Sequence, residues 1–252
     1  MKVIAIINQK GGVGKSSTSE ALAAGLSLKG YKCLAVDLDG QANFSYTAGA
    51  RTDGATVLGV LTGEVKVSDA IQHTEQGDII AASKALSGAD AFISDTGKEY
   101  RLKEALEALQ GVYDYVIVDT PPALGILTIN ALTACNSVII PAQADIYSLQ
   151  GIEQLAGTIK PVKKYCNPSL KISGILLTRY SPRAVLSREI AELAEKLAKK
   201  LGTKLFTTTI REAIAVKEAQ ISQQSLFEYA PKANVTEDYR AFIEEFLETE
   251  RS

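Results

Sequence analysis

An apolar run, a glycine-rich loop and a lysine–serine pair follow one another at the start of the chain: KVIAII (2–7), then NQKGGVGKSS (8–17). A buried strand that passes through Gly11, Gly12 and Gly14 into Lys15 and Ser16 has few folds open to it. The glycines let the backbone turn with its N–H groups inward, and the helix that follows adds the positive end of its dipole. Such a loop is a cradle for phosphate oxygens. The spelling G-x-x-x-x-G-K-[ST] is met at Gly14, Lys15 and Ser16, while Gln9 stands where the leading glycine belongs. A plain strand-to-helix turn would need the glycines but not the lysine and the hydroxyl. The sequence therefore predicts a nucleotide site. Backbone N–H groups of Gly11, Gly12, Val13, Gly14 and Lys15 wrap the phosphates, Lys15 supplies a point charge, and Ser16 supplies a hydroxyl for Mg²⁺.

The same strand-then-helix alternation runs down the chain. Further strands are predicted at KCLAVDL (32–38), DYVIVDTPP (114–122), NSVIIPA (136–142) and LKISGILLT (170–178). Helices are predicted from about Ser16 to Lys29 and at 98–110, 125–134, 149–165, 184–201 and 235–249. The last is given Asn234 as its N-cap, with Glu237 three residues on. Residues 40–97 read as two short helical pieces, VLGVL and VSDAI, and a strand, DIIAAS. Continuous Val/Ile strands between helices indicate parallel strands covered on both faces. The expected fold is thus α/β: one P-loop domain over 1–252, with a mostly parallel twisted β-sheet and helices on both faces.

Composition removes several function classes. His73 is the single histidine, and Cys33, Cys135 and Cys166 show no metal-binding spacing, which argues against a His/Cys metal centre and a Ser-His-Asp triad. The thiols read as reduced, buried side chains of a cytoplasmic protein. No apolar run is long enough to span a bilayer. The net charge of −2 means that any nucleic-acid contact comes from a local patch.

One lysine remains unexplained by a phosphate cradle alone: Lys10, at the loop's entrance. KGGVGKSS (10–17) resembles the deviant Walker A motif of the ParA/MinD ATPases. LAVDLDGQAN (34–43) resembles the second strand of that group and the D-x-D-P-Q-[GA]-N segment after it. YVIVDTPPALGILTINAL (115–132), VIIPAQADIYSLQGIEQL (138–155) and FEYAPKANVTEDYRAF (227–242) resemble ParA-type partition ATPases, so the likeness covers nearly the whole chain. It implies ATP and Mg²⁺ as ligands, with Lys10, Lys15 and Asp39 catalytic. Lys10 would reach the ATP of a second subunit, and Asp39 would orient the attacking water with Asp37 nearby. Ser16, Asp39 and Asp119 would form the metal surroundings. Lys10, Gly11, Gly12, Val13, Gly14, Lys15, Ser16, Ser17 and Thr178 would bind the nucleotide, Thr178 near the adenine. The chain departs from the family pattern at Gly40, where proline is expected, and at Ile210–Arg211, which lacks the intervening proline.

Within the group, the resemblance is to partition ATPases, which dimerise on ATP, bind DNA non-specifically and are stimulated by a ParB-like centromere-binding protein. Between Lys160 and Lys217 stand thirteen Lys/Arg against four Glu, a local +9 that leaves −11 for the rest. That asymmetry fits a phosphate-binding face. The candidates are Arg183, Arg188, Lys196, Lys199, Lys200, Arg211 and Lys217, of which the resemblance singles out Arg183 and Lys217. A helix stripe of Leu186, Ile190, Leu193, Leu197 and Leu201, with Glu192–Lys196 and Glu195–Lys199 pairs outside it, also describes an ordinary solvated face. The acidic outer face of the last helix argues against stable membrane association. The expected location is cytoplasmic, at the nucleoid. A MinD-type membrane regulator and an ATPase positioning a protein cargo remain the alternatives.

Overall fold

The computed structural model describes residues 1–182 and 184–251. In chain order the elements are β1 (Lys2–Ile6), α1 (Lys15–Leu28), β2 (Cys33–Asp37), α2 (Asn43–Thr47), α3 (Val57–Thr62), α4 (Val67–Ala70), β3 (Ile71–Thr74) and β4 (Gly77–Ile80). They continue with α5 (Ala89–Phe92), α6 (Arg101–Glu107), β5 (Tyr115–Asp119), α7 (Ile126–Ala134), β6 (Ser137–Gln143), α8 (Ile146–Tyr165) and β7 (Lys171–Thr178). The last are α9 (Val185–Lys200), α10 (Ile214–Ile221), α11 (Leu226–Tyr229) and α12 (Asn234–Arg251). Short 3₁₀ turns occupy Lys84–Gly88 and Lys98–Tyr100.

The strands form one seven-stranded sheet in the order β3-β4-β2-β5-β1-β6-β7. Every pairing is parallel except β3 with β4. Val, Ile and Leu fill the middle strands because helices cover both faces. On one face α3, α6, α7, α8 and α9 pack over residues such as Val36, Val118, Ile140 and Leu177. On the other, α1 and α12 pack over Ile4, Ile6, Ile117 and Leu176. β1 lies between β5 and β6, so the connections diverge beside it. The loops leaving β1, β2 and β5 open together at the carboxyl end of the sheet, the place where open α/β sheets hold ligands.

α12 buries Val235, Tyr239, Phe242, Ile243, Phe246 and Leu247 against α1 and the sheet. Gly25 makes this close approach possible: a Cβ there would lie 2.1 Å from Ile243 Cδ1. The Glu250 carboxylate at the far end of α12 accepts hydrogen bonds from Lys2 Nζ, Ser137 Oγ and Ser173 Oγ. The C-terminal helix is therefore part of the core. No helix among the described residues is long and apolar enough to cross a membrane.

Several expectations are corrected. Asn234 is not an N-cap: the Glu237 N–H bonds to the Ala233 carbonyl, which places Asn234 inside the first turn, and Glu237 turns outward to Arg240. The segment 98–110 divides into a 3₁₀ turn and α6, because Asn130 Oδ1 accepts the Leu102 N–H at the helix start. α8 starts three residues earlier than expected, because Asp145 caps it through the Ser148 N–H at 2.9 Å. On α9, Leu186 and Leu193 are exposed, while Ile190, Ala194, Leu197 and Ala198 form the buried face. The strand IQHT, β3, forms an antiparallel hairpin with β4 that was not anticipated.

Candidate functional site: a phosphate loop and its two aspartate turns

Gly12 and Gly14 hold φ angles of 76° and 83°, the left-handed region where a Cβ is strained. Gly14 is the N-cap of α1, so the loop closes directly onto the helix dipole. Two contacts pin the loop from the ends of β7 and β6. Thr178 Oγ1 donates to the Val13 carbonyl at 2.8 Å, and Gln143 Nε2 donates to the Gly12 carbonyl at 2.8 Å. Lys15 lies buried within the cradle and donates to the Lys10 carbonyl at 3.2 Å. Burial lowers its pKa, while the charges of Asp119 and Asp39 oppose that shift. Its ammonium thus lies within reach of the charges of two carboxylates, Asp119 and Asp39.

The two aspartates differ in state. Asp119, at the end of β5, is fully buried; Oδ1 accepts from Ser19 Oγ at 3.0 Å, and Oδ2 has no hydrogen-bond partner. Burial and the nearby charge of Asp37 push its carboxyl upward, against the pull of Ser16, Ser19 and Lys15. Asp37 is a structural organiser. Its Oδ2 accepts the Ser45 N–H and hydroxyl at 2.9 and 2.7 Å, its Oδ1 accepts the Asp39 N–H at 3.0 Å, and burial pushes it up to about 6. Asp39 is thereby aimed over the loop. Its own Oδ1 accepts the Gln41 N–H at 3.0 Å, and Ala42, at φ 54°, completes the turn into α2.

These residues fit a magnesium ion of the kind that keeps most of its waters. An unpartnered, buried carboxylate oxygen on Asp119 lies behind the Ser16 hydroxyl, and one or two carboxylates with a substrate phosphate are what Mg²⁺ asks of a protein. No cluster of three or more His, Cys, Asp or Glu suited to a metal exists among the described residues.

The cavity above the loop measures about 460 Å³ and is lined by Gly11, Lys15, Ser16, Asp39, Pro122 and Arg179, among others. A second space of about 120 Å³ continues from it, bounded by Ser17, Thr178, Arg179, Arg211, Lys217 and Tyr239. The first size suits a small-molecule site. Thr178 borders the second, although its hydroxyl is spent on the loop carbonyl. Lys10 points away from the cradle: its Nζ pairs with Asp145 Oδ2 at 2.7 Å, and both side chains are about a third exposed, at 31% and 29%.

The basic candidates divide. Arg211 is held by Asp238 through Nε at 2.7 Å and Nη2 at 2.8 Å, and Lys199 is paired with Glu195 and Lys200 with Glu153. Arg188, Lys196 and Lys217 are exposed and make no ion pair among the described residues. Arg183 lies outside the described residues. Sequence reasoning missed Asp145, whose N-cap signal three residues before Ser148 was legible. It also missed Gln220, whose Nε2 donates to both Ser17 Oγ and Glu20 Oε2 at 3.1 Å and which no local pattern marks.

Comparison with known proteins agrees with this geometry. A family described as "AAA domain" matches residues 1–172. The chain is 40% identical to the sporulation initiation inhibitor protein Soj of Bacillus subtilis, over 94% of this chain and 95% of that protein. It is 38% identical to the chromosome partitioning protein ParA of Caulobacter vibrioides, over 100% and 96%. Among solved structures, it resembles a protein from Mycobacterium smegmatis named cobyrinic acid a,c-diamide synthase, with bound ATP analog and magnesium. That match has a TM-score of 0.86 and 34% identity, covering 100% of this chain and 96% of the other. A phosphate loop with an entrance lysine, two aspartate turns and full-length likeness to partition proteins together make the chain a member of the ParA/Soj family of ParA/MinD-type P-loop ATPases.

Proposed function

We propose that this chain is a DNA-partition ATPase. Two copies loaded with Mg-ATP close face to face, the closed pair holds DNA without sequence preference, and hydrolysis, stimulated by a ParB-like partner, opens it. The observation that carries the reading is the division of labour between two lysines. Lys15 is buried in its own cradle, whereas Lys10 stands at the rim and is paired outward with Asp145. A cation placed there serves an anion arriving from outside the subunit, and the triphosphate of a facing copy is such an anion.

The residues divide the chemistry accordingly. The N–H groups of Gly11–Lys15 and the Lys15 ammonium take the phosphate charge, which grows on the transferred group during hydrolysis. Ser16 and the buried Asp119 carboxylate would hold magnesium, which would supply positive charge against the phosphates. Asp39, fixed by its own N–H to Asp37, orients the attacking water. No arginine or glutamine finger stands at a motif position, so turnover without partner or DNA stays well below the ~10 s⁻¹ of a median enzyme.

DNA contact is assigned to the exposed Arg188 and Lys217 and to Lys196, with Arg211 and Lys199 needing to leave Asp238 and Glu195 first. Such contacts are to phosphate and carry no sequence information. Retention of duplex DNA with ATP, with ADP and without nucleotide tests the reading. Retention only with ATP supports it; retention indifferent to nucleotide contradicts it.

A further inference from the structure

The segment 84–92 touches the turn that carries Asp39 and the loop that follows Asp119. At one end, Asp90 Oδ1 accepts the Ile126 N–H at 3.1 Å, at the start of α7 and the close of the loop that follows Asp119. Gly125 leaves room for this: a Cβ there would lie 3.0 Å from Asp90 Oδ2. At the other end, Ser87 presses on Gly40, the residue after Asp39. A Cβ on Gly40 would lie 2.8 Å from Ser87 Oγ and 3.2 Å from the Ser87 backbone nitrogen. Between the two contacts Leu86 and Ala89 are each 2% exposed and belong to the main core. The segment is therefore anchored to the core and is in register with both loops at once. It contributes no lining to the cavity above the phosphate loop.

We propose that residues 84–92 are a brace that sets the position of the Asp39 turn relative to the loop after Asp119, with Asp90 and Ser87 as positioning residues for hydrolysis. The ordinary reading of Asp90 is a capping carboxylate for α7 supplied from outside the helix. That role alone predicts effects confined to residues 120–130. The contact of Ser87 with Gly40 extends the consequence across the site. The phosphate cradle belongs to the loop between β1 and α1, and no residue of 84–92 lines the cavity above it, so analogue affinity should survive loss of the brace. Asp39 must be placed to within a fraction of an ångström of its water, and a displacement of about 1 Å costs up to ~100-fold in rate. This inference rests on the proposed ATP hydrolysis for its kinetic arm only.

Gly40 is not in the positive-φ region, so an alanine there meets Ser87 rather than backbone strain. Turnover, affinity for a non-hydrolysable ATP analogue and amide hydrogen exchange are measured on wild type, Asp90→Ala, Asp90→Asn, Gly40→Ala and Gly40→Ala/Ser87→Gly. Asp90→Ala and Gly40→Ala are expected to lower kcat about tenfold or more while the analogue's Kd stays within about twofold of wild type. Asp90→Asn, which keeps an acceptor for the Ile126 N–H, restores most of the rate, and Ser87→Gly in the Gly40→Ala background, which removes the hydroxyl but not the backbone contact, restores part of it. In Asp90→Ala, amide exchange rises in residues 39–43 as well as in 120–130. Exchange confined to 120–130 overturns the brace, as does equal loss of kcat and analogue affinity. A wild type that does not turn over ATP overturns the proposed function instead, and the exchange of residues 39–43 still decides the brace.

Discussion

Lys10 Nζ and Asp145 Oδ2 lie 2.7 Å apart, and the same Asp145 carboxylate accepts the Ser148 N–H that opens α8. The entrance lysine is thus held by the N-terminal cap of a helix on the far side of the loop. Any partner that takes this lysine must first compete with a carboxylate that has its own structural duty.

That competition is measurable. Asp145→Asn keeps an acceptor for the Ser148 N–H and removes the charge that holds Lys10. A pair this exposed is worth about 1 kcal/mol or less. Closing the dimer frees two such lysines, so the variant should dimerise with Mg-ATP up to about thirtyfold more tightly than wild type, read by analytical ultracentrifugation. Weaker dimerisation would mean that Asp145 itself serves the closed state.

Asp119 Oδ2 is buried without a hydrogen-bond partner, which is what the proposed magnesium surroundings call for. In wild type, magnesium should tighten binding of a fluorescent ATP analogue. In Asp119→Asn that gain should shrink by about tenfold, the scale of loss when a group supporting a metal's ligands is removed. Titrations with magnesium and with EDTA give the two affinities, and the EDTA values should agree between the proteins.

Glu20 supplies a pH dependence of stability. Burial pushes its carboxyl up to about 8, aided by the charges of Asp119 and Asp37 and opposed by hydrogen bonds from Gln220 and Thr47. The folded chain then holds a proton that the unfolded chain releases near pH 4.5. This contribution to stability is complete below the unfolded value and is lost as pH rises through about 8. Its steepest slope is about 1.4 kcal/mol per pH unit. Glu20→Gln should flatten the fall in Tm between pH 5.5 and 8 (roughly the window set by these two values), as followed by circular dichroism.

Gly25 lets α1 meet α12 through Ile243. Gly25→Val should cost about 1–3 kcal/mol by overpacking. Gly25→Val combined with Ile243→Ala should recover part of it in urea denaturation. If the single substitution is neutral, α12 does not pack as described.

Sequence marks what is local. The five Val/Ile-rich runs became β1, β2, β5, β6 and β7, and the glycine loop fell between β1 and α1, because period and turn chemistry act over a few neighbours. β3 escaped because Ile71–Thr74 is short and only partly buried, so its apolar pattern is weak. The burial face of α9 was misread because Leu186 and Leu193 share its helical spacing with Ile190 and Leu197, and only the neighbouring elements decide which leucines are covered. In the site, Lys10, Lys15, Ser16, Asp39 and Asp119 were legible from motif order. Their supports were not. Asp145 is 135 residues from Lys10, Gln220 is 203 from Ser17, and Asp90 is 36 from Ile126, so each relationship exists only once the sheet is assembled.

The central claim is that triphosphate joins two copies of this chain through Lys10. Sedimentation of wild type and Lys10→Ala with magnesium and a non-hydrolysable ATP analogue tests it most directly. The account predicts a dimer for wild type, monomers without nucleotide, and monomers for Lys10→Ala at an analogue concentration that saturates both proteins. A Lys10→Ala protein that dimerises as well as wild type, or a wild type that stays monomeric with its site filled, would contradict it.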